Sequence, residues 1–248
     1  MRPRFTVLTV PAGNTNDIAQ TQTPAGTTPL TLNGTLVTAG VGVLSSGLTT
    51  VFTTTGGCWQ RRIRLTCNGS DAARTLTVVG QISVDGKLYT IGEVLAGTSG
   101  STTDSLNAYE NIISLTPDAS YAGSVTVGSS TNIGETPWLR LDTDNANPFA
   151  VGIGCTLLSG SATFTVEHTF DKLPPNPGSG YIATVNYTPR VFPHSSISAK
   201  TATIDGNYAF PISGLRMKIT SGTGVVMIQA CQAGQIGGPG VGSGEWST

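Results

Sequence analysis

The stretch "GGCWQRRIRLTC", residues 56–67, sets two cysteines around three arginines in a chain of which only 11% is charged. Read at period two, Trp59, Arg61, Ile63, Leu65 and Cys67 share one face, and Cys58, Gln60, Arg62, Arg64 and Thr66 the other. Apolar and polar positions alternate with the single exception of Arg61, which is the pattern of a half-buried strand. Over the step from Cys58 to Cys67 an extended chain advances about 30 Å and changes face. A disulfide needs Cα atoms within about 7 Å, so these two cysteines cannot bridge inside the strand.

The other cysteines, Cys155 in "FAVGIGCTLL" and Cys231 in "VVMIQACQAG", also lie in apolar strand-like runs. There is no CxxC, and neither His168 nor His194 stands at ligand spacing from a cysteine. Four buried, unreactive thiols are expected, with no metal and no cofactor. Arg62 and Arg64 on one face could meet phosphates or a partner's carboxylates, or form an ordinary solvated or interfacial strand face. Trp59, Arg61, Arg62 and Arg64 are therefore the candidate interface residues.

Composition extends the strand reading to the whole chain. The 248 residues include 32 Gly and 38 Thr. Thr suits a pleated, half-buried surface and Gly supplies turns. A chain that is 38% hydrophobic with net charge −1 is the reverse of the disorder signature. The weak overall field argues against direct nucleic-acid or membrane partners and favours packing of many copies side by side. At the N-terminus the run "FTVLTV" is shorter than the ~7–15 apolar residues of a signal peptide. No stretch approaches the ~20 residues of a membrane helix.

Strand-like runs follow one another: residues 36–44, 74–83, 87–95, 111–117, 124–130, 137–142, 149–158 and 161–170, separated by Gly, Asn, Asp or Pro. "VDGKLY" and "LSGSAT" read as tight hairpin connections. The spacing predicts an all-β fold, an antiparallel β-sandwich or barrel-like domain over 35–172. It is preceded by an extended N-terminal arm (1–34) and followed by a connector (173–207). A smaller C-terminal β-hairpin module (208–236) and a Gly-rich tail (237–248) complete the chain. "KLPPNPGSG" (172–180) marks the expected boundary. There is also an internal echo: "RIRLT" (62–66) aligns with "RMKIT" (216–220), and "GQI" (80–82) with "GQI" (234–236), at one constant offset.

Catalytic patterns fail on inspection. His168, Asp171 and a serine could be imagined as a triad, but no G-x-S-x-G elbow is present. His168 alternates with Val166 and Phe170, which predicts a packed or interfacial histidine. "DTDNANPF" begins like a calcium loop but has Asn147 where Gly is required and Ile153 where Glu is required. No catalytic residue is assigned, and the chain is expected not to be an enzyme.

The runs "LTLNGTLVTAGVGVL", "RRIRLTCNGSDAARTLTVVGQ", "SLTPDASYAGSVTVGSS", "PWLRLD" and "NPFAVGIGCTLLSGSATFTVEHTFD" occur in this order. With the closing "FPISGLRMKITSGTGVVMIQACQAG", they resemble small β-rich virion structural proteins of tailed bacteriophages. The resemblance implies a non-enzymatic, multi-copy shell or tail component, a capsid decoration (cement) protein or a neck or tail component. Its partners would be further copies of itself and other virion proteins such as the major capsid protein, in a particle assembled in the host bacterial cytoplasm. Free thiols agree with a reducing compartment. A host-attachment β-domain binding surface glycan is the second class, and would need an exposed aromatic platform that Trp59, Trp138 and Trp246 do not obviously supply.

Overall fold

The computed structural model describes residues 4–8, 13–44, 60–84, 87–142, 149–173 and 188–233. The described residues contain strands and turns and no helix. The quoted stretch becomes β5 (Gln60–Cys67), where Arg61, Ile63, Leu65 and Cys67 are buried and Arg62, Arg64 and Thr66 are half-buried. The one exception to the alternation, Arg61, follows the strand's geometry and not its own polarity.

The described strands form three antiparallel sheets. The first five strands are β1 (Arg4–Leu8), β2 (Asn14–Gln22), β3 (Val37–Thr38), β4 (Val41–Val43) and β5. Then come β6 (Thr75–Val84), β7 (Lys87–Ala96), β8 (Thr102–Tyr109), β9 (Asn111–Pro117), β10 (Val125–Glu135) and β11 (Leu139–Arg140). The last are β12 (Ala150–Ser159), β13 (Ala162–Thr169), β14 (Phe192–Pro193), β15 (Ile204–Tyr208), β16 (Gly214–Gly222) and β17 (Val225–Ala233). One sheet runs β3-β4-β9-β6-β7, a second β1-β17-β12-β15, and the longest β14-β13-β16-β10-β5-β8, with β2 added on β10 and β11 on β16.

The long sheet is a shared wall between two cores. On one half, Ile18, Ile63, Leu65 and Val127 meet Leu76, Val78, Ile91 and Leu115 of the five-stranded sheet. On the other, Phe164, Val166, Met217 and Ile219 meet Val151, Ile153, Val226 and Ile228 of the four-stranded sheet. Each fully buried aliphatic or aromatic side chain contributes about 1.5–3 kcal/mol through removal from water. The architecture is a pair of β-sandwiches joined through β10. That strand meets β16 only at Gly134 and Glu135, while β2 lines the same edge at Val125–Ser129.

Several segments lie differently from their sequence reading. Residues 14–22, expected as part of an arm, form β2, with Ile18 and Ala19 in the first core. Gly128 permits this, since a Cβ there would collide with the Asn14 carbonyl of β2. Residues 36–44 are not one strand but the β3–β4 hairpin, turned by Ala39 (φ 50°) and Gly40 (φ 78°). "VDGKLY" does join paired strands, Val84 opposite Lys87. "LSGSAT" does not: β12 pairs with β15 and β17 while β13 pairs with β14 and β16, so the turn carries the chain between sheets. The same holds for β16 and β17, which belong to different sheets and are central in each, so residues 208–233 are integral to the second sandwich. Within the expected connector, Ile197 is fully buried and β14 and β15 extend two sheets. The tail, most of "KLPPNPGSG" and all but the ends of "DTDNANPF" lie outside the described residues.

Candidate functional site

Where the two sandwiches join, β10 ends at Glu135 with β5 on one side and β16 on the other. Its carboxylate is fully buried. Arg62 donates through Nε at 2.9 Å to Oε1, with Nη2 at 2.8 Å from the same oxygen. Arg216 Nη1 contacts Oε2. Arg216 also binds Glu167 of β13 through Nε at 2.9 Å, and its guanidinium carbon lies 4.5 Å from the centroid of the buried Trp138 ring. Lys218 completes the group, 3.8 Å from Glu167. Burial opposes ionisation of Glu135, but Arg216, Arg62 and Lys218 outweigh it and hold the carboxyl below its ordinary range. The adjoining cleft of ≈ 190 Å³, lined by Arg62, Leu106, Asn107, Glu167, Thr188 and Arg216 among others, is below the ~300–1,000 Å³ of ordinary small-molecule pockets. A carboxylate pinned as an anion by two guanidinium groups is a structural tie and a poor proton donor.

Arg61 and Arg64, also candidate interface residues, are used inside the chain as well. Arg61 is 3% exposed; burial lowers its pKa and Asp17 opposes that shift. Arg64 makes a two-pronged pair with Asp104 of β8, Nε to Oδ1 at 2.7 Å and Nη2 to Oδ2 at 2.8 Å. Trp59 lies outside the described residues. Arg62 and Arg64 of the quoted strand are thus paired with carboxylates of the same chain.

Two further carboxylates, not singled out in the sequence, bind backbone amides. Glu93 of β7 accepts from Leu106 N–H at 2.5 Å, Asn107 N–H at 3.0 Å and the Tyr109 hydroxyl at 2.9 Å. It thereby ties the edge strand of the five-stranded sheet to β8, the edge strand of the long one. Burial first, and Glu93 second, raise the Tyr109 pKa far above its usual value. Asp17 accepts from the Ser129 amide at 2.7 Å and the Ser129 hydroxyl at 2.5 Å, fixing β2 on β10.

Cys67 and Cys155 are buried and free, and burial pushes the Cys155 thiol up to about 12. Cys231 is exposed, correcting the expectation of burial. The period-two alternation of β17 turns Val226, Ile228 and Ala230 inward and Cys231 outward. Cys58 lies outside the described residues.

His168 is packed, as its strand pattern predicts. It is buried beneath three phenylalanines from different segments, Phe170, Phe192 and Phe210, which are 51%, 43% and 48% exposed. Its ring lies 5.3, 5.7 and 5.9 Å from theirs, and Nδ1 is 3.0 Å from the Tyr208 hydroxyl. Burial, then His194, lower its pKa. Asp171, the third member of the imagined triad, binds Arg190 instead, at 2.8 Å. Sequence pattern found Phe170 through its strand. Phe192 and Phe210 sit in segments without periodicity, and only the approach of β14 and β15 gathers them into one aromatic face.

No protein-family model matches the chain, and no curated protein matches it in sequence.

Proposed function

We propose that this chain is a non-enzymatic structural protein of a tailed-bacteriophage virion, a capsid decoration protein present in many copies, with a neck or tail position as the alternative. The observation that carries the reading is the Phe170–Phe192–Phe210 face, three half-exposed rings presented together by a rigid sandwich edge. Clustered aromatic side chains of this kind anchor protein interfaces, where a few desolvated rings supply most of the affinity. The strand and turn motifs that resemble virion proteins support the same reading, as does the internal use of Arg62, Glu93, Glu135 and Arg216 as structural ties. The partner is another virion protein.

The glycan-binding reading is favoured by the same exposed aromatic face, which supplies the platform it needs, together with the Arg190–Asp171 pair beside Phe170. The experiment is co-sedimentation with phage particles stripped of this protein, using wild type and a Phe170→Ser/Phe210→Ser double variant. Stoichiometric, Phe-dependent rebinding supports the structural role. Absence from purified particles, or rebinding competed away by host surface polysaccharide, counts against it.

A further inference from the structure

Among the described residues, the outward-pointing positions of the five-stranded sheet carry no charged side chain. Inward positions of β6, β7 and β9, such as Val78, Ile91 and Leu115, fill the first core. The alternate positions point away from it: Thr77 and Val79 on β6, Leu88 and Val94 on β7, Ile113 and Thr116 on β9 among them. Leu88, Val94 and Ile113 are 42%, 39% and 41% exposed. The amide groups on this face already meet each other, Asn111 donating to Gln81 at 3.0 Å across the paired strands. Charges lie at the two ends of the sheet, Arg74 3.9 Å from Asp118 at one and exposed Lys87 at the other. An uncharged centre with a charged margin is the arrangement of an interface core and rim.

We infer that this face is the contact through which a second copy of the chain binds, sheet against sheet about a two-fold axis. Three features select that occupant. Two identical uncharged faces meet with no like-charge repulsion, whereas a strongly acidic or basic partner would find no counter-charge here. The five strands of the sheet, spaced about 4.8 Å apart with a rise of about 3.3 Å per residue, cover roughly 500 Å²; two copies therefore bury on the order of 1,000 Å², the lower bound for a specific interface. The β7 edge of the sheet lies against β8, whose Leu106 and Asn107 amides are taken by Glu93. At this side of the molecule the face is the larger surface on offer. The dimer is consequently weak, and many copies on one particle would strengthen it through high local concentration.

The inference concerns this chain alone and does not depend on the virion reading; particle binding and self-association are measured separately. Sedimentation velocity of the full chain over roughly 1–200 µM should show a reversible monomer–dimer equilibrium. Val79→Lys, and independently Thr77→Lys, place like charges across the axis and should weaken the dimer about tenfold or more. Mixing Val79→Lys with Val79→Glu should restore it as a heterodimer. Phe170→Ser, on the other surface, should leave it unchanged. A monomer throughout that range overturns the inference. So does an oligomer indifferent to both lysine variants or dissolved by Phe170→Ser.

Discussion

Arg62 and Arg216 grip the two oxygens of one buried carboxylate, Glu135, from opposite sides of β10. They occupy the same place in the two echoed segments, "RIRLT" in β5 and "RMKIT" in β16, and both strands flank the end of β10. Each sandwich contributes one arginine, and a single carboxylate holds the halves together. The second part of the echo, residues 234–236, lies outside the described residues.

Glu135→Gln leaves two guanidinium groups facing a neutral amide in a buried site. Removing one member of a buried ionic group costs about 3–5 kcal/mol. The variant should melt well below wild type by calorimetry, with Arg62→Met/Glu135→Leu/Arg216→Met recovering part of the loss. An unchanged melting temperature would show that the two sandwiches are held by their cores alone.

Glu93→Ala removes the acceptor of two β8 amides. Each unsatisfied buried group costs about 1–3 kcal/mol, and the opening should be local. Hydrogen exchange at Leu106 and Asn107 should accelerate more than at Val78 or Leu115. A uniform acceleration would mean that the β7–β8 seam does not open independently.

Protonation of His168 couples folding to pH. Its pKa in the folded chain lies below the ordinary 6.5, by burial and the nearby His194. The unfolded chain therefore takes up a proton that the folded chain refuses. Stability is full above about pH 6.5 and falls as pH drops through the lowered folded value. Tyr208, Phe170, Phe192 and Phe210 surround the ring and carry no charge to offset this. Denaturant midpoints between pH 7 and 5 should decline in wild type and decline less in His168→Phe; equal slopes would remove His168 as the cause.

Cysteine labelling separates the two faces of the strands. In a Cys58→Ser background, native protein should react at Cys231 and become reactive at Cys67 and Cys155 only on unfolding, because burial shields both from the reagent and also raises the Cys155 pKa. Labelling of Cys155 in the native state would contradict its burial.

Deleting residues 1–34 removes β1 from the edge of the four-stranded sheet and β2 from the long one, with Ile18, Ala19 and the Asp17–Ser129 hydrogen bonds. The shortened chain should lose its cooperative melt or several kcal/mol of stability, since burial of Ile18 alone contributes about 1.5–3 kcal/mol. An intact melt would return this segment to the role of an arm.

Period-two alternation determined the strands of this protein, because side-chain direction along an extended chain is a local property. It placed β5, β6, β7, β9, β12 and β13 within a residue or two, and put Arg61 on the buried face and His168 in a packed position. What alternation cannot carry is which sheet a strand joins. "LSGSAT" passes between sheets where a hairpin was expected, and residues 14–22 enter a core without an apolar pattern because Gly128 admits their backbone. The partners of charge belong to the same class. Arg62 met Glu135, Arg64 met Asp104, and three phenylalanines met over His168 only when strands distant in sequence were brought side by side. Local geometry is written into neighbouring residues, whereas pairing, burial of charge and shared surfaces depend on contacts that exist only after the chain has closed on itself.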